Sequence, residues 1–363
     1  MRVLHLAKYF WPRSGGMERV VQDLAEGGAE LGLEVQVVAV ETLIGPHGGR
    51  PRGTKLRRVT SFGALGQQEL APGYLVAAWR AADIVHLHHP HPLADVAAVL
   101  RPRRTRLVVT HHSDAGPSLD RHLARLALRR ASRAVVPSRA HVALSSELRG
   151  FEDKVSVIPF GIDERRWLTV PAEPDRGPVR ALFIGRLLKW KGVDVLLRAL
   201  ALTPDVHLDV VGEGPDGPRL RTVAQAVAVS DRVRWYGNYP DDDLPRRMAE
   251  AHFLVLPSVT VDEMFGLVLL EAMASGRPII TTELPSGVRE VNAAGVTGLE
   301  VPARDPAALA RAMTALAEDP VRRRTMGEAG RQRVLERFTR RRMVQEYLEV
   351  YANALGRAPA IPA

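Results

Sequence analysis

Two glutamates eight residues apart, Glu263 and Glu271, frame the stretch with the most chemical content, PSVTVDEMFGLVLLEAMASGRP at 257–278. The apolar run 253–256 predicts a buried strand and 265–275 predicts a helix, with a loop between them. Phe265, Gly266 and Leu267 stand at the helix mouth, where the first backbone N–H groups have no internal partner and favour an anion. At about 3.6 residues per turn, a helix carrying both glutamates would bring them within about 80° of one another. Two carboxylate acceptors suit sugar and ribose hydroxyls, and the helix mouth suits a phosphate. A nucleotide sugar has all three. The spacing alone does not decide this, because Glu18, Glu26 and Glu34 repeat it along a surface-type helix pattern.

Cations that could meet a diphosphate lie upstream. The predicted strand 180–184 runs into GRLLKWKG at 185–192, which puts Arg186 and Lys191 on a loop just past a strand. There a planar guanidinium and a flexible ammonium both reach phosphate oxygens; two solvated loop cations are the plainer alternative. Near the start, Gly15 and Gly16 stand between the strand 3–7 and a helix from 18 to 31, where the backbone can approach a ligand or simply turn. Histidines cluster after two further predicted strands, as HLHHPH at 86–91 and HHSD at 111–114. Residues past the carboxyl ends of parallel strands line the ligand crevice, so both clusters are expected to face one cleft. His112 is the candidate catalytic histidine, and His86, within its strand, reads as a satisfied buried one. Zinc is the alternative reading, since imidazoles are its common ligands. The spacings H-x-H and H-H lack a convincing carboxylate or third-ligand pattern, so no metal is expected.

Two further motifs fail on context. GEGPDG at 212–217 matches G-x-G-x-x-G, but it follows the second strand of its unit, prolines interrupt it, and no acidic residue ends the next strand. Asp241, Asp242 and Asp243 resemble a metal-binding D-x-D, yet they open a predicted helix where aspartate caps free N–H groups.

Strands alternating with helices throughout predict an α/β class with parallel sheets. At 363 residues the chain exceeds the ~250–300 at which one core stops growing. The Pro- and Gly-containing stretch PAEPDRGP at 171–178 reads as a linker, giving domains at 1–170 and 171–339; the final helix, 340–356, is free to cross back to the first. Loop composition marks 45–53, and the tail 357–363 reads as disordered. With no cysteine there is no disulfide framework, thiolate metal site or cysteine nucleophile. No apolar run reaches the ~18 residues of a membrane span, and residues 1–11 lack a cleavage-site pattern, so a cytoplasmic chain is expected. Residues 1–163 carry 22 Lys and Arg against 15 Asp and Glu, and the remainder 28 against 26. That basic first half is either a solvated arginine-rich surface or a footing for an anionic membrane surface or phosphorylated acceptor. Nucleic acid is disfavoured, because aromatics do not interleave with the basic runs.

Taken in order, SGGMERV, VVTHHSD, VIPFGID, IGRLLKWKG, VVGEGP, EMFGLVLLEAMASGRP and GVTGLEVPARD resemble family four of the retaining glycosyltransferases over essentially the whole chain. The resemblance implies the GT-B fold: two Rossmann-like, doubly wound domains facing a cleft, acceptor mainly on the first and nucleotide sugar mainly on the second. The final helix is implied to return to the first. It further implies that Arg186 and Lys191 bind the diphosphate, with backbone donors at Gly266 and Leu267. Glu263 lies near the donor sugar, Glu271 holds ribose hydroxyls, Gly15 and Gly16 form the N-terminal glycine loop, and His112 sits beside the reacting sugar. In this type of enzyme the acceptor attacks on the face the diphosphate leaves from, and cations in the cleft take the place of a divalent metal. No cofactor is expected.

Two departures bear on specificity. The segment after His112 is short before the helix near Leu119, and Leu284-Pro-Ser-Gly287 replaces the commoner double-glycine turn at the donor sugar. Similar turns occur in enzymes resembling polysaccharide mannosyltransferases, which favours GDP-mannose over a UDP-hexose. The expected activity is hexosyl transfer to a lipid-linked or envelope-polysaccharide acceptor, with the protein peripheral at the inner membrane face. The competing readings are a catalytically silent nucleotide-sugar-binding partner and a GT-B UDP-N-acetylglucosamine 2-epimerase.

Overall fold

The apolar runs 84–87, 107–110, 180–184, 208–211 and 253–256 become strands, and the runs at helical spacing 193–201, 306–318 and 340–355 become helices. In the computed structural model, which describes residues 1–11, 15–42, 52–65, 68–102, 104–116, 118–174 and 177–357, the chain begins β1 (Arg2–Leu6), α1 (Gly16–Glu30), β2 (Glu34–Glu41), β3 (Lys55–Thr60). A short hairpin, β4 (Ala64–Leu65) and β5 (Gln68–Glu69), precedes α2 (Gly73–Ala78), β6 (Ile84–His89), α3 (Pro92–Leu100) and β7 (Arg106–His111). Then come α4 (Ser118–Arg130), β8 (Arg133–Val136), α5 (Arg139–Leu144), β9 (Val155–Val157) and α6 (Arg165–Leu168). The next elements are β10 (Val179–Ile184), α7 (Val193–Ala201), β11 (Val206–Val211), α8 (Gly217–Ala226), β12 (Val233–Gly237), α9 (Leu244–Glu250) and β13 (Phe253–Leu256). The chain closes with α10 (Leu267–Ala274), β14 (Ile279–Thr282), α11 (Val288–Val291), β15 (Gly298–Val301), α12 (Pro306–Glu318), α13 (Pro320–Arg337) and α14 (Arg340–Leu355).

These form two units, Met1–Gly161 with Arg340–Ala363, and Ile162–Thr339. The first holds a sheet in the order β3-β2-β1-β6-β7-β8-β9, the second a sheet in the order β12-β11-β10-β13-β14-β15. Every adjacent pair in both is parallel. Parallel sheets are covered on both faces, which is why central strands such as β6 and β13 are buried along their whole length. Leu4, Leu6, Val85, Leu87, Leu107 and Val109 pack under Tyr74, Ala97 and Leu128 on one face of the first sheet. On the other, Val35, Val37 and Ala39 pack under Val21 and Ala25 of α1.

The last helix, α14, packs on α1 and β7. Gly27 makes room for it, since a Cβ there would lie 2.8 Å from Val344 Cγ2. α12 and α13 start the same way: Asp305 and Asp319 accept hydrogen bonds from the N–H groups of Ala308 and Arg322, with proline following each cap.

The division falls at 161/162, nine residues before the linker that composition marks. Ile162 N–H donates to the Phe338 carbonyl at 3.0 Å, Trp167 is fully buried, and α6 packs on α10, so 162–170 belong with the second unit. The turn Asp241–Asp243 also differs from its reading as a cap. No side chain caps α9, and Asp241 instead pairs with Arg166 at 2.8 Å. Most of the loop at 45–53, two linker residues and the tail beyond 357 lie outside the described residues.

Candidate functional site

In the second sheet, strand order reverses between β10 and β13, and loops leaving strands at such a point form the ligand crevice of an open α/β sheet. Both loops carry the candidate residues. Gly192 adopts φ +67°, and a Cβ on it would lie 2.1 Å from the Pro257 carbonyl oxygen; only glycine lets the loops touch. A hydrogen bond from Val259 N–H to the Trp190 carbonyl, 2.8 Å, joins them. Lys191 Nζ then reaches Glu263 Oε2 at 2.5 Å, which also accepts from Ser258 Oγ at 2.9 Å. The Lys191 ammonium lies 4.5 Å from the centroid of the Trp190 ring. Arg186, on the same loop, is exposed, and its guanidinium makes no hydrogen bond or ion pair among the described residues.

Gly266, at φ +80°, is the N-cap of α10, and no side chain caps the helix. Leu269 N–H donates to the Gly266 carbonyl at 2.9 Å, while the N–H groups of Leu267 and Val268 come too early in the helix for an intrahelical acceptor, at the end where the helix dipole is positive. Glu271 lies buried in the second turn, and Phe265 is buried beside the mouth with its ring 6.2 Å from that of Phe338. The helix begins at Leu267, so Glu263 is not on it and the 80° relation expected from spacing does not apply. What joins the two glutamates to one region is the turn 263–266. Gly287 N–H donates to the Met264 carbonyl at 3.0 Å, tying in the loop 284–287, where Ser286 Oγ is buried without a hydrogen-bond partner among the described residues.

In the first unit the histidines do not all face one opening, because alternate residues of a strand point to opposite faces. His86 and His88 share a face with His5. His86 Nδ1 lies 2.6 Å from Tyr351 Oη and its Nε2 2.7 Å from Thr110 Oγ1, so it is the satisfied core histidine expected. His5, His88 and His112 form a chain of imidazoles, with nitrogens 2.9 and 3.2 Å apart. His112 ends it half-buried, its ring 5.3 Å from that of Phe160. Burial pulls His112 down to about 3, so it is neutral at neutral pH. His89 and His111 occupy the opposite face with Asp95, His141 and Glu147, all buried. Burial opposes charge on His89, but its contacts with Asp95 and Glu147 outweigh that and raise it to about 9. Gly15 is the extended N-cap of α1. The Glu18 carboxylate folds back over the space beside it, so that helix start already faces an anionic side chain.

Sequence comparison agrees with these features. The profile "Glycosyltransferase Family 4" matches residues 14–166, and "Glycosyl transferases group 1" matches 170–333. The D-rhamnosyltransferase WbpZ of Pseudomonas aeruginosa is 31% identical over 362 residues, 93% of this chain and 92% of that one. The O-antigen chain mannosyltransferase C of Escherichia coli is 30% identical over 380 residues, 98% and 99% of the two chains. The chain belongs to glycosyltransferase family 4. Its GT-B fold is shared with a sucrose-phosphate synthase from Thermosynechococcus elongatus, at TM-score 0.82 and 22% identity over 98% of this chain and 100% of that one. Anabaena Alr3699/HepE in complex with UDP and glucose is similar, at 0.81 and 22% over 97% and 100%.

The glycosyltransferase has no helix, among its described residues, long and apolar enough to cross a membrane. Two features escaped sequence reasoning. The Lys191 to Glu263 pair joins residues assigned to different parts of the donor. Glu147, which supplies the carboxylate the histidine clusters lacked, is 36 residues from His111 in sequence and belongs to no motif.

Proposed function

We propose that this glycosyltransferase is a retaining hexosyltransferase that moves mannose from GDP-mannose to a lipid-linked or envelope-polysaccharide acceptor. The observation that carries the donor side is the convergence of two loop cations' loop, an uncapped helix mouth and a buried glutamate at the strand-order reversal of the second sheet. Arg186, Lys191 and the N–H groups of Gly266 and Leu267 are assigned to the diphosphate, Glu271 to the ribose hydroxyls, and Glu263, held by Lys191 and Ser258, to the donor sugar. Mannose is favoured by the mannosyl transfer for which the E. coli relative is named and by phosphatidyl-myo-inositol mannosyltransferases, 29% identical over 92% of this chain in the Mycobacterium leprae case.

In the reaction, the bond from the anomeric carbon to the diphosphate oxygen breaks and a bond to the acceptor oxygen forms on the same face. The acceptor proton passes to the departing diphosphate oxygen, so no protein base is needed. Negative charge grows on the diphosphate, where preorganised cations and N–H donors lower the barrier most. Those cations leave no task for a divalent metal in the transfer step. Neutral His112 is assigned to positioning rather than proton abstraction, with Gly15 and Gly16 as the N-terminal glycine loop. The basic first half supports a cytoplasmic protein peripheral to an anionic membrane face.

The experiment is a panel of nucleotide sugars with and without lipid-linked acceptors. Transfer from GDP-mannose supports the reading. Binding without turnover across the panel would mark a silent partner, and a 2-epimerised sugar formed without acceptor would mark an epimerase.

A further inference from the structure

The face of the first sheet opposite α14 carries a polar cluster that the proposed transfer does not use. His89 and His111 are register partners at the ends of β6 and β7, with rings stacked 5.1 Å apart and 28° between planes. Nε2 of each lies 3.0 Å from the same oxygen, Glu147 Oε2, and the three atoms fall within 4.8 Å of one another. All three side chains are buried.

Each group is held from behind. His89 Nδ1 lies 3.2 Å from Asp95 Oδ2, His111 Nδ1 lies 2.8 Å from His141 Nε2, and Glu147 Oε1 accepts from Ala115 N–H at 2.8 Å. Metal-bound imidazoles are oriented this way, with the far nitrogen fixed by an outer partner. His89 Nε2 is buried and faces Glu147 Oε2 across the cluster, where an ion would take the place of the proton between them. A tetrahedral zinc ion, at about 2.0–2.2 Å from nitrogen and oxygen, sets its ligand atoms about 3.3 Å apart, near the 3.0 Å found. Asp114 Oδ1 lies 3.6 Å from His111 Nε2, and its side chain is 30% exposed, which gives a fourth oxygen and an entry path. The other histidine group, His5, His86 and His88, brings no carboxylate to its centre among the described residues.

We propose that His89, His111 and Glu147, with Asp114 as the fourth side chain, bind one divalent ion of the zinc class. Two imidazoles with carboxylate oxygens favour zinc over magnesium or calcium, which take oxygen alone. The ion ties the ends of β6 and β7 to the connection between α5 and β9. It also steadies His112, whose N–H donates to the His89 carbonyl at 2.9 Å. It takes no part in the transfer, whose diphosphate is assigned to the second unit.

The test uses the untagged full-length chain, stripped with a chelator, given one equivalent of zinc and gel-filtered before metal analysis. About one zinc per chain is expected, and cobalt in its place should give the visible bands of a four-coordinate ion. Glu147→Gln and His111→Phe should hold less than about a tenth of an equivalent, while His5→Gln keeps about one. A wild-type chain eluting with less than about a tenth of an equivalent overturns the proposal. So does zinc lost in His5→Gln and kept in Glu147→Gln. The wild-type stoichiometry and cobalt spectrum decide the matter even where a variant fails to fold.

Discussion

Removing the Lys191 ammonium perturbs the proposed donor site most directly. Its Nζ lies 2.5 Å from Glu263 Oε2, with side chains 13% and 8% exposed, and Ser258 Oγ is the carboxylate's other partner at 2.9 Å. A hydrogen bond to a charged group contributes about 1.5–3 kcal/mol, so Lys191→Ala should weaken GDP and UDP binding roughly 10- to 150-fold. The alanine also leaves Glu263 without its cation. A carboxylate about 4 Å from a phosphate charge, at an effective dielectric of about 20, repels it by up to about 4 kcal/mol before screening. Adding Glu263→Gln removes that repulsion. The double variant should therefore bind nucleotide diphosphate more tightly than Lys191→Ala alone, although it has lost both ends of the pair. Isothermal titration with GDP and UDP reads this, with urea midpoints confirming that each variant folds. Affinity of Lys191→Ala within about threefold of wild type would refute the diphosphate assignment.

Gly192→Ala forces a Cβ against the Pro257 carbonyl at a left-handed φ. It should cost at least about 2 kcal/mol of stability and weaken GDP binding, read as a lower urea midpoint and by titration. His112→Ala should lower turnover while leaving nucleotide diphosphate affinity unchanged; an equal loss in both would remove its positioning role. Acid should destabilise the first unit. Burial holds His5 at about 3 and His86 well below its ordinary value, so the folded chain keeps both neutral while the unfolded chain takes protons below about pH 6.5. The His5 share is complete above about pH 6.5 and lost as pH falls toward 3, at up to about 1.4 kcal/mol per unit, and His86 acts in the same direction. A urea midpoint at about pH 5.5 equal to that at pH 7 would contradict this.

Much of the architecture was legible in the sequence because the two periodicities are strong. The runs at Phe253–Leu256, Gly298–Val301, Pro306–Glu318 and Arg340–Leu355 fall where apolar spacing puts them. β3 was not, since its sequence KLRRVT at an exposed sheet edge carries charge instead of an apolar face. Within the candidate site, the loop cations and helix mouth are local features, so spacing finds them. The Lys191 to Glu263 contact depends on Gly192 bringing two loops together across 72 residues, and Glu147 meets His89 and His111 only through the path of the chain after α5. No window of sequence contains either relation.

The most direct measurement is transfer itself: wild-type chain with labelled GDP-mannose and a lipid-linked saccharide acceptor, no metal added, the product's anomeric configuration read by NMR. The account predicts labelled mannose on the acceptor with the donor's configuration kept, and loss of that product in Lys191→Ala. An inverted product, or full transfer by Lys191→Ala, would contradict it.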